Sequence, residues 1–465
     1  MLSYKYPGVI LTIESQREYL IPKSISLSHI LGYLGKINNE DIKKNNNYDG
    51  TDSVGKIGLE YEYESFLMGS KGREQIEVDA IGKEIKKIAD IQPIAGNNLI
   101  LTIDSDIQSK LEELLSKALE KTKKTKGVAI AMDPMNGEIL ALVSLPGFDN
   151  NIFSKGISQE ELQKILSDES RPLYNRSIYG LYPSGSTIKP VIAAAALQEG
   201  VITQWTQINS VGGIRINQWY FPDWKIGGHG LTNIKKALAE SVNSFFYYIG
   251  GGYEQFEGLG LDKLLSNFRL AGIGSQTGID LPGESEGLIP TKEWKEEVKK
   301  ESWYIGDTYH LSIGQGDLLV TPLQVANWTS MISNGGILYQ PRLVLKIIDN
   351  NNKIIKKIEP AVLQKNAFSE ENLDIVKQGL RDTIVYGSAR SLSDLPIKVA
   401  GKTGSAEWSS KKPTHAWFTS FAPYPDPKIV VTILIEEGGE GSSVAAPVAK
   451  EFYLWWSQNK FFMDK

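Results

Sequence analysis

The sequence predicts an α+β fold, and three observations carry that prediction. Two apolar runs at 127–133 and 137–144 flank the turn Pro134-Met135-Asn136-Gly137, a hairpin signature. Three more strand-like runs, at 397–408, 415–422 and 428–436, follow one another near the end of the chain. Between the two groups lies a long segment read as mostly helical as far as residue 270. Such an order builds one antiparallel sheet from both ends of a domain, with a helical subdomain inserted between them.

Taken in order, residues 1–96 are short β-like pieces and turns. Residues 58–67 read as helix, 74–80 alternate like a strand, and the Asn/Asp/Lys-rich stretch 38–52 reads as an exposed loop. Pro93-Ile94-Ala95-Gly96 marks a joint, so a partial, mainly β domain over 1–96 is expected before a larger one over 97–465. Residues 97–104 read as a strand and 107–126 as an amphipathic helix ending in lysines. Residues 191–197 are apolar on every side, the mark of a helix buried in a core. Residues 280–287 read as a loop and 445–456 as a closing helix.

Composition narrows the chemistry. Fifty basic residues against 55 acidic ones give a net charge of −5, with no bias towards nucleic acid. The absence of cysteine excludes thiol nucleophiles, disulfides and thiolate metal sites. No apolar run is long enough to span a bilayer, and the first residues lack the zones of a signal peptide.

Three short motifs then stand out in order. Ser186-Thr187-Ile188-Lys189 opens the buried helix and places a hydroxyl and an amine one turn apart. Ser53/Lys56 and Ser409/Lys412 share that spacing, so it means little alone. Ser241-Val242-Asn243 follows the helical pattern 234–240, and Lys402-Thr403-Gly404 lies in the first of the late strands. Ser-x-x-Lys, Ser-x-Asn and Lys-Thr-Gly together are the signature of penicillin-recognising serine enzymes.

On these residues the sequence resembles the class B penicillin-binding proteins, D,D-transpeptidases that cross-link peptidoglycan. The resemblance extends to Leu101-Thr102-Ile103-Asp104, to 133–144, to 312–324 with its Ser312-Ile313-Gly314-Gln315-Gly316 core, and to Gly401-Lys402-Thr403-Gly404-Ser405-Ala406-Glu407. His415-Ala416-Trp417-Phe418 with Ala445-Ala446-Pro447 is similar to the elongation-type branch, penicillin-binding protein 2. Ser28–Tyr33, 58–62 and 78–82 resemble the family's non-catalytic pedestal, a dimerisation-type domain that is N-terminally incomplete here.

The resemblance implies a penicillin-binding, β-lactamase-like transpeptidase domain and an acyl-enzyme on D-Ala–D-Ala formed without a cofactor. Ser186 is the implied nucleophile. Lys189 is its base, a role that needs the neutral amine and therefore a pKa well under the usual value of about 10.4. Burial and a second cation, Lys402, are expected to depress it. Ser241 relays the proton to the leaving amine, and Asn243 positions Lys189 and the substrate amide. Thr403 of Lys402-Thr403-Gly404 suits the substrate carboxylate, and the N–H groups of Ser186 and Ser405 form the oxyanion hole. Partners implied are stem peptides, β-lactams, and a membrane-embedded SEDS-family glycosyltransferase with the elongation machinery. The implied location is the cytoplasmic membrane, with the catalytic domain outside the cytoplasm. Family members begin with a membrane helix that this chain lacks, so a fragment or a truncated reading frame is expected.

Some relatives carry cysteine at the position of Val242 and bind zinc nearby; here only Asp223 and His229 suggest a pair, and no metal is expected. A nucleophile elbow at Gly283-Glu284-Ser285-Glu286-Gly287 is rejected, because Pro282 and Pro290 leave no strand–helix frame. A β-lactamase would be shorter and lack a pedestal. A penicillin sensor, a scaffold and a D,D-carboxypeptidase share the same motifs.

Overall fold

The computed structural model describes residues 16–20, 25–44, 48, 52–81 and 84–461. Its centre is a five-stranded antiparallel sheet of β1 (Gly127–Met132), β2 (Ile139–Leu145), β3 (Ala400–Ala406), β4 (His415–Ala422) and β5 (Ile429–Ile435). The spatial order is β3-β4-β5-β1-β2, so β5 pairs with β1 and closes the sheet from both ends of the domain. β5 is buried along its whole length, which is why it reads as an apolar run with one interruption, Thr432, whose hydroxyl pairs with that of Thr419 at 2.8 Å.

Side-chain alternation divides the sheet into two faces. Ala129, Ala131, Val143, Phe418, Val431 and Ile433 face α1 (Ser105–Thr122) and α7 (Ala445–Trp456). Val128, Ile130, Trp417, Phe421, Val430 and Leu434 face the helical subdomain, with α2 (Lys189–Gln198) and α5 (Pro322–Ser333) at its heart. α2 is buried from Lys189 to Leu197, as its all-apolar composition predicts. Every residue of α5 is buried too. α5 starts at a Thr321/Gln324 capping box with Pro322 in the first turn, a start signal present in the sequence but not used in the expectation above.

Three expectations are corrected. α1 begins at Ser105 because the Asp104 carboxylate accepts from the Asp106 and Ile107 N–H groups, and it stops at Thr122 where Lys123 turns left-handed, so of the lysine cluster only Lys121 is in the helix and Lys123, Lys124 and Lys126 lie beyond it. The middle is not uniformly helical: Ile208–Ser210, Gly213–Ile216, Trp219–Pro222 and Gly230–Thr232 form two small antiparallel pairs. The Ile-Arg-Ile-Asn-Gln-Trp-Tyr-Phe alternation from 214, with Asn217 at φ 52°, is a hairpin pattern that the helical reading passed over. Helices resume with α3 (Ile234–Ala239) and α4 (Asn243–Gly251). Finally, Asn39–Lys44 is a helix inside the expected loop 38–52; residues 45–47 and 49–51 of that loop lie outside the described residues.

In the N-terminal region, Gly58–Glu62 and Glu64–Leu67 are helical and Arg73–Val78 is a strand, as expected. That strand pairs with Glu84–Ile91 in a ribbon exposed along both strands, so its alternation does not mark a buried face. Lower down, the region is tied to the sheet domain. The Glu112 carboxylate on α1 accepts from the N–H groups of Ile25 and Ser26 at 3.0 and 3.1 Å. Tyr63 donates to Asp280 at 3.0 Å, and the same carboxylate accepts from the Leu343 and Val344 N–H groups. Tyr63→Phe removes only the first of these contacts. It should lower stability by about 1.5 kcal/mol in a denaturant melt and leave the reactivity of the distant site unchanged.

Candidate active site

Ser186 and Lys189 come from one segment and Ser241 and Asn243 from another, and the fold brings the two together. Ser186 lies in a 3-10 turn, Gly185–Ile188, that runs directly into α2 at Lys189. The two residues therefore share the first turns of one continuous helical segment. From 182 to 197 every residue is buried except Ser186, which is partly exposed. Among the described residues no hydrogen bond holds its hydroxyl, so the oxygen is free to meet a reactant.

The turn is braced from behind. Gly185, at φ 51°, donates to Gly314 O at 2.8 Å, and a Cβ on Gly314 would lie 2.1 Å from Gly185 O. Gly314 thus explains why the Ser312–Gly316 motif needs a glycine there: two backbones touch. Trp417 of β4 donates its indole N–H to Pro183 O at 3.1 Å. Tyr182 donates to Glu436 at 2.8 Å, and the same carboxylate oxygen takes the buried Arg176 guanidinium at 3.0 Å.

Lys189 is the meeting point. Its ammonium donates to Ser241 O at 2.9 Å, Ser241 Oγ at 3.2 Å and Asn243 Oδ1 at 2.7 Å. Ser241 joins α3 to α4 in a left-handed conformation, φ 58°, a strained backbone state for a serine of the kind found at working sites. Asn243 is the first residue of α4.

Electrostatics favour an unprotonated amine. Lys189 is fully buried, and desolvation pulls its pKa down to about 7, against a smaller upward pull from the Asp223 carboxylate. Lys402 on β3 is equally buried; burial first, and then the charge of Lys189, hold it well below the ordinary lysine range. Burial is the first cause for both amines, and the repulsion between them is mutual, so each disfavours the charge of the other. Two ammonium groups cannot comfortably share this space.

Next to Lys402, Thr403 Oγ1 sits 2.6 Å from Ser388 Oγ. Ser405 donates its hydroxyl to Glu440 at 2.7 Å and accepts from the Gly441 N–H. Gly404 lies against the nucleophile turn, where a Cβ would meet Thr187 Cγ2 at 2.9 Å and Ser184 O at 3.2 Å. The strand carrying Lys402, Thr403 and Ser405 thus runs alongside the turn carrying Ser186.

Asp223 and His229 do approach, with 3.6 Å between Asp223 Oδ1 and His229 Nε2. The donor set does not fit a zinc ion. Both Asp223 oxygens already accept from Asn243 N, Ser244 N and Ser244 Oγ, and Val242 offers no ligand atom, so His229 Nε2, although it faces Asp223 without a hydrogen bond, has no third ligand beside it. Among the described residues no group of three His, Asp or Glu stands close enough to hold a metal. Glu240, missed in the sequence, ends α3 immediately before Ser241 and fixes the histidine.

A partly exposed serine one turn before a buried lysine of lowered pKa, a second hydroxyl on that lysine and a strand carrying a second buried lysine alongside make an arrangement suited to serine acyl transfer. The family model for the penicillin binding protein transpeptidase domain matches residues 127–454, and that for the penicillin-binding protein dimerisation domain matches residues 2–101. The chain belongs to the penicillin-binding protein transpeptidase family. Within it, the peptidoglycan D,D-transpeptidase MrdA of Haemophilus influenzae is 37% identical over 97% of this chain and 71% of its own length. MrdA of Escherichia coli is 33% identical over 95% of this chain and 71% of its own. Penicillin-binding protein 2 of Helicobacter pylori, solved in complex with MreC, superposes with a TM-score of 0.85 at 32% identity, covering 98% of this chain and 82% of that one. Penicillin-binding protein 2 of Pseudomonas aeruginosa in complex with WCK 5153 gives 0.81 at 32% identity, covering 96% and 91%. The similarity is to the elongation-type branch.

Proposed function

We propose that this chain is a peptidoglycan D,D-transpeptidase of the elongation type, a β-lactam target that cross-links stem peptides through an ester on Ser186. The observation that carries the reading is Lys189: fully buried, with a pKa pulled to about 7, and bonded to both Ser241 and Asn243 one turn after the only exposed residue of its segment.

The chemistry then follows. Neutral Lys189 takes the Ser186 proton as Oγ attacks the carbonyl carbon of the penultimate D-Ala. The oxyanion rests on the N–H groups of Ser186 and Ser405, each such donor supplying about 3 kcal/mol in comparable sites. The C–N bond breaks, and the proton passes through Ser241 to the leaving D-Ala amine. An acceptor amine of a neighbouring stem peptide attacks the ester, loses its proton to the same relay, and frees Ser186. Asn243 holds Lys189 and the substrate amide, while Lys402 and Thr403 receive the substrate carboxylate, with Gly404 allowing strand and turn to close together.

Location and partners follow the relatives. No helix among the described residues is long and apolar enough to cross a membrane. We place the catalytic domain outside the cytoplasm at the cytoplasmic membrane, working with the elongation machinery. A related structure is described as a peptidoglycan synthase complex coordinating polymerisation and cross-linking. A SEDS-family glycosyltransferase is the partner we assign to the N-terminal domain.

The deciding experiment is intact-protein mass after incubation with benzylpenicillin, followed by peptide mapping. One lasting penicilloyl adduct on the peptide that carries Ser186 is expected. Rapid turnover without an adduct would make the protein a β-lactamase, and an adduct on another serine would overturn the assignment.

A further inference from the structure

Ser388 lies where three working elements meet. α6 (Glu370–Val385) packs against both α3, which leads into Ser241, and β3, which carries Lys402 and Thr403. Just past its end the chain makes a close approach to α3: a Cβ on Gly387 would lie 2.2 Å from Ala239 O. That approach lets the Ser388 N–H donate to Ala239 O at 3.0 Å, two residues before Ser241. The Ser388 hydroxyl then points to Thr403, 2.6 Å from its Oγ1. Ser388 is half-buried, and these are its polar contacts among the described residues.

Two hydroxyls this close carry two protons, and their mutual hydrogen bond uses one. The other has no acceptor among the described residues. The oxygens also stand nearly as far apart as the two oxygens of one carboxylate, which readily accepts a pair of parallel donors. We infer that Ser388 and Thr403 together form the seat for the terminal carboxylate of the substrate: when the carboxylate arrives the mutual hydrogen bond opens, both hydroxyls turn their protons to it, and Ser388 gives the second hydrogen bond that Thr403 alone cannot. The inference rests on the transpeptidase reading and deepens it. It makes Ser388 a binding residue that selects free carboxylates over amides and esters, and it makes Gly387 the residue that allows Ser388 to reach the site.

The test compares acylation of the full chain by benzylpenicillin and by its methyl ester, for the parent, Ser388→Ala and Ser388→Thr. A hydrogen bond to an ionised group contributes enough that Ser388→Ala should lose about tenfold in acylation efficiency with the acid, through weaker binding. With the ester, Ser388→Ala and the parent should react alike, and Ser388→Thr should recover most of the rate with the acid. Equal losses with acid and ester would show a purely structural role and overturn the inference, as would no loss with either. If the parent takes up neither compound, the transpeptidase reading itself falls; uptake by the parent keeps that reading whatever Ser388→Ala does.

Discussion

Lys189→Met is expected to slow acylation by benzylpenicillin roughly 10³-fold, the scale of losing a positioned general base, while leaving the folded structure in place. Methionine fills a similar volume and can lie against Phe246, whose ring is 5.1 Å from the lysine nitrogen, so the loss reports chemistry rather than collapse. The pH profile of the parent makes the same claim independently. A base acts only when neutral, and the neutral fraction of Lys189 grows as pH rises through about 7. Acylation should therefore climb nearly tenfold per unit below that point and level off above it. Were Lys189 an ordinary lysine, the climb would continue towards pH 10, which stopped-flow acylation between pH 5 and 9 would detect. The three hydrogen bonds that Lys189 donates match an ammonium. On losing its proton, the amine keeps two donors and gains a lone pair, and the contact easiest to reverse is the longest, to the Ser241 hydroxyl. That reversal is the step the proposed relay through Ser241 requires.

How much of this could be read from the sequence depended on whether the signal was local. The five-stranded sheet was legible, because β1 and β2 flank a Pro-Met-Asn-Gly turn and β5 is apolar at every position but Thr432. The order Ser-x-x-Lys, Ser-x-Asn, Lys-Thr-Gly was legible as a set for the same reason: each is short and contiguous. What stayed hidden depends on contacts between distant segments. Gly314 against Gly185, Ser388 against Thr403 and Glu240 against His229 join residues far apart in the chain or carry no pattern of their own. The hairpin at 213–222 failed for another reason. Its alternation was present, but Trp219 and Tyr220 are both exposed, so its apolar residues do not mark a buried face. The depressed Lys189 was expected, yet only packing could show that burial outweighs the neighbouring amine as its cause.

Asp223→Ala should be the most damaging change that touches no reacting atom. The carboxylate accepts from Asn243 N and Ser244 N, both at 3.1 Å, and from Ser244 Oγ at 2.8 Å, so it closes the first turn of α4 from outside the helix. A negative group at that end also suits the helix dipole. Its removal leaves two buried N–H groups without acceptors, and a loss of about 3 kcal/mol is expected in chemical denaturation. The catalytic consequence is separable from the structural one. Asn243 opens α4 and holds Lys189, so a small displacement of that helix start should cost roughly 100-fold in acylation. Asp223→Asn keeps the volume and removes the charge, and here the sign of the electrostatic effect can be read. Asp223 pulls the Lys189 pKa upwards, so its neutralisation should move the acid limb of the acylation profile to lower pH. A helix displaced without an electrostatic contribution would lower the rate at every pH and leave the limb where it was. An unmoved limb in Asp223→Asn would therefore reduce Asp223 to a structural cap, and a limb moved downwards would make it the residue that holds the lysine base near neutral pH.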